Sequence, residues 1–467
     1  MNSKVTLISL AIFFKRSLGI LISKSSKSKL NSPLTKIVSP FLLKIVGTTI
    51  SLLTPWMVII PFTSYVASRL LTLLKFKITN GKVGNDAISS ASDRFFYLSD
   101  VNLNYGDNGY SWGLDYNNYT SGYLIDRYSN PNVTWEVAEK TNFGLELEIN
   151  KALNLQVDYF TEHRTQIYME RNYIPESMGL TTGISSNLGE VKSKGIDASM
   201  DYNQAFSSGL YITGRANFTY ATNEIILNGD PIYEFDNLSR IGYPVNQPFG
   251  LIAERLFIDA EDIANSPEQF NGFSSSSNAY LPGDIKYTDL NGDGVVNEND
   301  MTAIGSPQVP EIIYGFGISA GYRDFDLSIF MQGAAKVSFF INPNDISPFV
   351  NERNALSVIA NNYWSENNPN PNAFWPRLST YEISNNNQQS TWWQREGDFL
   401  RLKNIEFGYT LPEKSSGIFS GLNTRIYFTG LNLVTFSKFD LWDTEMGGNG
   451  LGYPPQKIYN LGLQVKF

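Results

Sequence analysis

The sequence predicts an all-β fold: an antiparallel transmembrane β-barrel portion with long external loops, preceded by a segment of different composition. Apolar and polar residues alternate over many segments of about ten residues, as in barrel strands that face lipid on one side and a polar lumen on the other. Aromatic residues make up 14% of the chain. Stretches rich in Asn, Ser, Gly and Pro separate the segments, and about 11–13 strands can be counted.

The first 75 residues are the segment of different composition and are treated as a separate region. Up to residue 85 the chain holds twelve Lys and Arg and no acidic residue. The apolar run over residues 45–63 has the length of a membrane-spanning helix, but Pro55 and Pro61 interrupt it. The apolar run over residues 5–14 lacks a signal-peptide cleavage site. Three interpretations stay open: a membrane anchor, a leader without defined structure, or out-of-frame translation joined to a genuine protein.

Residues 76–467 are the barrel portion, and their alternation is clearest at five places. Residues 209–220, 324–332 and 460–467 each place apolar side chains on one face and polar side chains on the other. Residues 143–149 and 153–159 do the same on either side of a short turn, which predicts a hairpin. A soluble β-sandwich or propeller would alternate in the same way. The strand lengths, the aromatic residues near strand ends and the alternating final strand favour the membrane barrel.

Composition excludes several kinds of site. The chain has no Cys, which excludes disulfides and thiolate metal sites. His163 is the only histidine, so a Ser-His-Asp triad or a His-rich metal site would depend on that one residue. After residue 85 the net charge is -21, and nucleic-acid binding needs a basic surface. We therefore expect no nucleic-acid partner.

The segment TDLNGDGVVNEND at residues 288–300 has the spacing of a calcium-binding loop. Oxygen ligands are expected at its first, third, fifth, seventh, ninth and twelfth positions, and Gly294 occupies the sharp turn at the sixth. These positions are Asp289, Asn291, Asp293, Val295 through its carbonyl, Asn297 and Asp300. No long amphipathic helix flanks the loop, so we expect a structural Ca²⁺ rather than a calcium switch. A metal-free turn held by side chain to backbone hydrogen bonds is the alternative.

Four residues are candidates for contact with a transported solute. Trp392 and Trp393 form an aromatic pair that would stack on sugar faces in an external loop, although interfacial aromatic belts give the same pattern. Tyr211 and Arg215 lie on the polar side of a strand and would line a path for a hydrated solute. Ordinary lumen packing is their alternative interpretation.

The chain is expected not to be an enzyme. Carboxylates do occur close together, as at Asp259, Glu261 and Asp262. A glycosidase needs two carboxylates at a fixed separation across a cleft, and nothing in the sequence places a pair in that way. A solvated loop is the simpler interpretation of these residues.

Several segments resemble the SusC/RagA family of TonB-dependent outer-membrane transporters, and they occur in the family's order over residues 76–467. The most specific is GDIKYTDLNGDGVVNENDMTAIGSPQVPEIIYGF at residues 283–316. The others are GKVGND (81–86), PNVTWEVAEKTNFGLEL (131–147), FDLSIFMQGAAK (325–336), FLRLKNIEFGYTLP (399–412), GLNLVTFSKFDLWDTE (430–445) and YPPQKIYNLGLQVKF (453–467).

The resemblance implies the C-terminal part of a larger barrel of about 22 strands. It implies a location in the outer membrane of a Gram-negative, Bacteroidetes-like cell. Such transporters import oligosaccharides or peptides, are powered by the TonB complex in full-length members, and work with a SusD-like surface lipoprotein. The final strand resembles the signal for the barrel-assembly machinery, whose residues here would be Leu461, Leu463, Val465 and Phe467.

The chain also departs from the family pattern. We find no plug domain, TonB box or usable signal peptide, and residues 1–75 do not match the family. Open sheet edges in lipid leave backbone groups unpaired at a cost of several kcal/mol each. We therefore expect a truncated member. The alternative function is a membrane-anchored β-sheet module that binds glycans without transporting them.

Overall fold

The computed structural model describes residues 71–466 except 88–94, 270–279 and 413–422, together with short strand segments between residues 8 and 61. The strands in chain order are β1 Ile8–Leu10, β2 Phe13–Lys15, β3 Gly19–Leu21, β4 Ser23–Lys24, β5 Phe41–Leu42, β6 Ile50–Leu53, β7 Trp56–Pro61, β8 Leu71–Asn85, β9 Asp100–Trp112, β10 Asn118–Arg127, β11 Glu136–Ile149, β12 Leu153–Glu170, β13 Ser185–Ala205, β14 Leu210–Leu227, β15 Phe249–Gly250, β16 Ala253–Leu256, β17 Ile285–Tyr287, β18 Thr302–Ala303, β19 Ile312–Tyr322, β20 Phe325–Ala335, β21 Ser338–Phe340, β22 Gln394–Glu396, β23 Phe399–Thr410, β24 Asn423–Ser437 and β25 Ile458–Lys466.

Helices are short. They are α1 Ala260–Ala264, α2 Pro343–Ile346 and α3 Ser357–Asn361, with 3₁₀ turns at Glu176–Met178, Asp236–Leu238, Glu298–Asp300, Val350–Glu352, Ser384–Asn387 and Thr444–Met446. Among the described residues, no helix has the length and apolar character needed to cross a membrane.

Thirteen strands of the described residues form one sheet in the order β1-β6-β7-β8-β11-β12-β13-β14-β19-β20-β23-β24-β25. Ten of them begin at or after Leu71. The strand pairs β1–β6, β6–β7, β7–β8, β14–β19, β19–β20, β20–β23, β23–β24 and β24–β25 of this sheet are antiparallel. Short turns such as residues 323–324 therefore alternate with long connections such as 336–398, as predicted from the spacing of the alternating segments.

The apolar run at residues 45–63 is a membrane anchor on one interpretation, and that interpretation stays a prediction. Its described parts are β6 and β7, which belong to the sheet. β7 pairs with β8 from Trp56 opposite Asn80 to Pro61 opposite Lys75. Pro55 and Pro61 disfavour a helix interior, whereas β-branched and aromatic residues such as those of β7 suit a strand. The predicted boundary at residues 75/76 stays a prediction; β8 runs across it.

The chain divides into two compact units. The first comprises residues 1–147, 157–195 and 222–234, and the second comprises residues 148–156, 196–221 and 235–467. The features that bear on function lie within the second unit, which contains the greater part of β14 and all of β19, β20 and β23–β25.

In the second unit the register gives the sheet two chemically different faces. Directly opposite residues share a face, so the pairings of β14, β19, β20, β23, β24 and β25 sort their side chains into two sets. One set, the polar face, is mainly polar or glycine, although the register also places Phe330, Tyr427 and Leu431 on it. Its polar and glycine members are Tyr211, Thr213, Arg215, Asn217, Gly315, Gly317, Ser319, Gly321, Asp326, Ser328, Gln332, Asn404, Glu406, Gly408, Arg425, Thr429, Asn460, Gly462 and Gln464. The other set, the apolar face, includes Phe218, Phe316, Ile318, Tyr322, Phe325, Leu327, Phe407, Ile426, Phe428, Tyr459, Leu461 and Leu463, all of them exposed.

The exposed apolar face has a simple physical meaning. A soluble protein rarely exposes a contiguous apolar surface of more than a few hundred Å². An outward apolar band with aromatic residues towards its borders is the expected surface of a strand wall in lipid. Tyr409 and Phe407 pack against Phe325 beside the short turn at residues 323–324, with ring centroids 4.8 and 6.0 Å apart. This aromatic group marks one border of the band.

Tyrosines cover glycines directly across the strands. Tyr314 is opposite Gly333, and a Cβ atom added to Gly333 would lie 2.4 Å from Tyr314 Cζ and 2.5 Å from the Phe399 carbonyl oxygen. The Tyr314 hydroxyl donates to that carbonyl at 3.2 Å. The same arrangement joins Tyr211 to Gly321 and Tyr427 to Gly462. Each ring thus occupies the space that the glycine leaves, which fixes the register.

We expect Gly333→Ala to destabilise the folded sheet by about 1–3 kcal/mol, because the new methyl group overlaps both a ring and a backbone oxygen. The matched control is Gly214→Ala in β14, where the nearest atom to an added Cβ is 3.6 Å away. That change should be neutral or slightly stabilising. Heat-dependent gel mobility of the detergent-folded protein measures both. Equal midpoints for the two variants would contradict the register argument.

The long connections of the second unit fold onto each other around their own hydrophobic core. Residues from 251 to 439 contribute: Leu251, Leu256, Ile285, Tyr287, Val296, Ile341, Ile346, Ile359, Trp364, Ala373, Trp375, Trp393 and Phe439. We call the described parts of residues 235–311, 336–398 and 438–457 the loop module. Because it has a packed core, it is a structured layer rather than a set of independent loops.

Candidate functional site

The second unit contains two clusters of charged side chains. The first links neighbouring strands on the polar face, and the second attaches the loop module to a strand. In the first, the Arg425 Nε donates to Asp326 at 3.0 Å and its Nη2 donates to Glu406 at 2.6 Å. In the second, Arg401 is 1% exposed, its Nη2 donates to both carboxylate oxygens of Asp443 at 2.5 and 2.7 Å, and its Nη1 donates to Glu445. Hydrogen bonds between charged groups are stronger than those between neutral groups, so they hold these side chains in place. Arg401 therefore ties the connection between β24 and β25 to strand β23.

The first unit carries a comparable set of charges. Glu146 of β11 pairs with both Lys75, at 2.9 Å, and Lys77 of β8. Arg164 of β12 pairs with Glu136 and Glu162, each at 2.8 Å. His163, the only histidine of the chain, lies 2.5 Å from Glu190. These are cross-strand and same-strand pairs, so they account for the histidine without a metal or a catalytic triad.

The two predicted lumen residues lie on the polar face of β14, as expected from the alternation. The Tyr211 ring covers Gly321, and Tyr211 is 46% exposed. Arg215 lies 3.5 Å from Asp201, and both side chains are mostly exposed. Contact of either residue with a solute stays a prediction; the structure shows a packing role for Tyr211 and a surface ion pair for Arg215.

The prediction that Trp393 presents its ring to a ligand is wrong. The side chain is 1% exposed, packs 5.1 Å from the Trp375 ring, and donates its Nε1–H to the Asn386 carbonyl at 2.6 Å. Its neighbour Trp392 is half-buried against the same core. Adjacent aromatic residues in a polar stretch resembled an external platform because the sequence does not show that the long connections share a core.

The loop at residues 288–300 is held by a dense set of side chain to backbone hydrogen bonds. Asp289 accepts from the N–H groups of Gly292 and Gly294 at 2.7 and 2.8 Å. Asp300 is fully buried and accepts from the N–H groups of Leu290 and Asn297, each at 2.8 Å. Gly294 has a φ of 87°, which is the left-handed conformation expected at the sharp turn. These hydrogen bonds are the ones expected for the metal-free turn, which was the alternative interpretation of this segment.

The remaining predicted ligands follow the same pattern. Asn291 accepts from the Asp293 N–H at 2.9 Å, Asp293 accepts from the Val295 N–H at 2.8 Å, and Asn297 accepts from the Asn299 N–H at 2.7 Å. In the described part of the chain, His, Cys, Asp and Glu side chains form no group of three or more placed to hold a metal. The oxygen-rich donor set suits Ca²⁺. Asp300 Oδ1 accepts from two N–H groups, those of Leu290 and Asn291, whereas the other carboxylate oxygens of the loop each accept one hydrogen bond and keep a second lone pair. Calcium binding stays a prediction.

Calcium binding has a direct calorimetric test. If the loop binds Ca²⁺, titration into the detergent-folded protein gives saturable heat, and Asp293→Asn weakens the apparent affinity at least tenfold by removing one ligand charge. Asp293 is the chosen site because its carboxylate accepts from only one backbone N–H, that of Val295; its other contact is with the Asn291 side-chain amide at 3.0 Å, and an asparagine at 293 keeps an oxygen acceptor. The control is Asp324→Asn in the short turn between β19 and β20. Absence of heat in the parent protein would leave the loop as a hydrogen-bonded turn.

The acidic group at residues 259–262 is structural. Asp259 is the N-cap of α1 and accepts from the Asp262 N–H at 2.8 Å. Arg255 makes a bidentate contact with Asp262 and lowers the pKa of that carboxyl to about 2. A glycosidase acid must be protonated near neutral pH, which requires a raised pKa. Asp262 has the opposite shift.

The described part of the predicted assembly signal lies in β25. Leu461 and Leu463 are opposite Phe428 and Ile426, on the apolar face, and are 80% and 55% exposed. Val465 is opposite Thr424. Phe467 lies outside the described residues. Recognition by the assembly machinery stays a prediction.

One feature of the loop module was not found by the sequence reasoning. A cavity of about 330 Å³ is lined by Phe374, Gln394, Arg395, Glu396, Lys438, Phe439, Asp440 and Leu441. The Arg395 guanidinium lies 5.8 Å from the centroid of the Phe374 ring, and burial lowers its pKa. The residues come from three separate stretches of the chain, so no local pattern pointed to them.

Comparison with known proteins places the fold. The chain is 25% identical over 421 residues to TonB-dependent receptor P26 of Formosa agariphila, covering 84% of this chain and 40% of that protein. It is also 25% identical over 428 residues to TonB-dependent receptor P3 of the same organism, covering 86% of this chain and 40% of the relative. The chain thus spans about 40% of the length of the curated relatives it matches. No family model matches the sequence.

Solved structures show the same fold. The RagAB peptide importer in the open-open state superposes with a TM-score of 0.62 at 20% identity, covering 90% of this chain and 43% of the importer chain. A second RagAB peptide transporter structure gives a TM-score of 0.60 at 21% identity and covers 90% and 44%. These likenesses confirm the predicted fold class, part of an outer-membrane β-barrel, and the predicted outer-membrane location. They also confirm the resemblance to the C-terminal portion of a SusC/RagA-like TonB-dependent transporter.

Proposed function

We propose that residues 76–467 form barrel wall and external loops of a TonB-dependent transporter that imports an oligosaccharide or a peptide. One observation carries this proposal: the sheet of the second unit has a polar, glycine-rich face and an exposed apolar face. A wall between lipid and a water-filled path requires this division. The curated relatives are named as TonB-dependent receptors, and the structural neighbours are peptide importers.

The partners follow from the same proposal. The TonB complex would supply energy in the full-length protein, and a SusD-like surface lipoprotein would deliver the solute to the external side. The RagAB structures are of importers, and their fold is shared by this chain. The apolar residues of β25, at one end of the sheet order, would be read by the barrel-assembly machinery. A structural Ca²⁺ in the loop at residues 288–300 would stiffen the loop module.

Fractionation and uptake test the function together. In the native host, the protein should sediment with outer membranes, and cells should take up labelled oligosaccharide or peptide in an energy-dependent way. Deleting the gene should abolish that uptake, and a protonophore should reproduce the deletion. Recovery in the soluble fraction would refute the wall proposal. Outer-membrane recovery with solute binding but without uptake would favour the alternative, a membrane-anchored β-sheet module that binds glycans.

A further inference from the structure

Arg395 is half-buried and lacks a charged partner among the described residues, as does Arg353, whereas five other buried or half-buried arginines have one. Arg164, Arg255, Arg377, Arg401 and Arg425 each lie within ion-pair distance of a carboxylate. For Arg395, no carboxylate of the described residues lies within that distance. Burying a guanidinium without a counter-charge is costly, and natural proteins rarely accept it without compensation. The unpaired charge therefore needs an explanation.

The hydrogen bonds of Arg395 show which part of its guanidinium is in use. Nη1 donates to the carbonyl oxygens of Trp392 and Gln394 at 2.7 and 2.6 Å. In the described residues, Nε and Nη2 have no acceptor, and neither atom is among the fully buried polar atoms that lack a partner. The Nε–Nη2 edge is thus fixed in direction, has no acceptor among the described residues and is not fully buried. Two parallel N–H donors are the geometry that a carboxylate accepts in a bidentate contact.

The surroundings of this edge form a container of suitable size. The cavity of about 330 Å³ is within the range of small-molecule sites. Phe439 is 8% exposed and is held by edge-to-face contacts with Phe339 and Trp442, each at 5.0 Å. Lys438 pairs with Glu396 at 2.7 Å, and Asp440 is a second carboxylate of the lining, so the two cations and two carboxylates of the cavity balance in number. What Arg395 adds is a guanidinium edge whose N–H groups have no acceptor among the described residues.

We propose that this cavity binds the carboxylate of a ligand through the Nε–Nη2 edge of Arg395, with the apolar part of the ligand against Phe374 and Phe439. The carboxylate belongs to a peptide C-terminus or to a uronate of an oligosaccharide. The proposal deepens the proposed import function by naming the substrate chemistry, and in that sense rests on it. The binding step itself depends only on the contacts in the loop module.

Calorimetric titration of the detergent-folded full chain tests the proposal with two pairs of probes. The first pair is an N-acetylated tripeptide with a free C-terminal carboxylate and the same tripeptide as its amide. The second pair is an oligouronate and its neutral methyl ester. We expect the acid of one pair to bind at least tenfold more tightly than its neutral form, and that pair identifies the source of the carboxylate. Equal binding of acid and neutral forms in both pairs, or no binding of any probe, overturns the proposal.

Two variants locate the contact. Arg395→Met should weaken binding of the preferred acid about 30-fold or more, because a charged hydrogen-bonded pair is lost. Arg395→Lys keeps the charge but loses the two-pronged edge and should weaken binding about tenfold. The matched control, Arg240→Met, removes an exposed arginine that lies 4.6 Å from the Phe249 ring, outside the cavity, and should bind as the parent does. Unchanged affinity in both Arg395 variants overturns the proposal.

The design keeps two failures apart. If Arg395→Met does not fold, Arg395→Lys and the acid-against-neutral comparison on the parent protein still decide the matter. Titration in detergent needs neither the TonB complex nor a surface lipoprotein. A preference for the carboxylate form without cellular uptake would support the site and refute the transport proposal. Uptake without that preference would support transport and refute the site.

Discussion

Asp284→Ala is expected to destabilise the loop module by about 3–5 kcal/mol, the cost of removing one partner from a buried ion pair. Asp284 is fully buried and accepts from Arg377 Nε at 2.9 Å, from the Leu281 N–H at 2.8 Å and from Asn386 Nδ2 at 2.8 Å. Alanine would leave the Arg377 guanidinium buried without its counter-charge. Two further donors would lose their acceptor.

The network around Asp284 explains why the effect should spread. Asn386 also accepts from the Ile285 N–H at 2.9 Å, and its carbonyl accepts from the Trp393 indole at 2.6 Å. The connection between β14 and β19 is thereby joined to the connection between β20 and β23. Burial raises the pKa of the Asp284 carboxyl, while Arg377 and the neighbouring donors oppose that shift. The pair is thus costly to bury. Removing only one of the two charged groups should therefore destabilise the protein more than the loss of the pair as a whole would suggest.

A double-mutant cycle measures this. Asp284→Ala with Arg377→Met should be less destabilising than the sum of the two single changes, because no uncompensated charge remains. The matched control is Asp201→Ala, which breaks the exposed pair with Arg215 and should cost about 1 kcal/mol or less. Hydrogen exchange at the Ile285 and Trp393 amides reports the local stability. Additive effects in the cycle would contradict the network described here.

The strands and their faces were predictable from sequence because each local segment carries the period-two pattern. Residues 209–220 and 324–332 lie in or beside β14 and β20, with the faces assigned correctly. The loop module was not predictable, because its core combines residues far apart in the chain, such as Leu251 and Trp393. That is why Trp393 was misassigned as exposed and Arg395 was missed. The calcium spacing gave the correct turn geometry at Gly294, since a local motif encodes local backbone shape.

The same core determines the second large effect: Trp393→Ala should lower the local stability of the loop module by about 3–5 kcal/mol. The indole is 1% exposed and packs beside Trp375, and its N–H has a partner in the Asn386 carbonyl. Truncation would leave a cavity the size of an indole and an unpaired buried carbonyl. The Trp393 backbone also accepts from the Ile341 N–H at 2.9 Å, so the loss should loosen the strand pair β21–β22.

The measurement is amide exchange together with limited proteolysis of the folded protein. Exchange protection at Ile341 and Leu251 should fall about 100-fold or more, and cleavage within residues 336–398 should accelerate. The sheet of β19 and β20 should keep its protection, because its register does not depend on this core. The control is Trp112→Ala in the first unit, where the side chain is 57% exposed and the cost should stay within about 0.5 kcal/mol. Equal protection in the two variants would mean that Trp393 is an exposed platform after all. The stacking role first inferred from the sequence would then be restored, and the shared core of the loop module refuted.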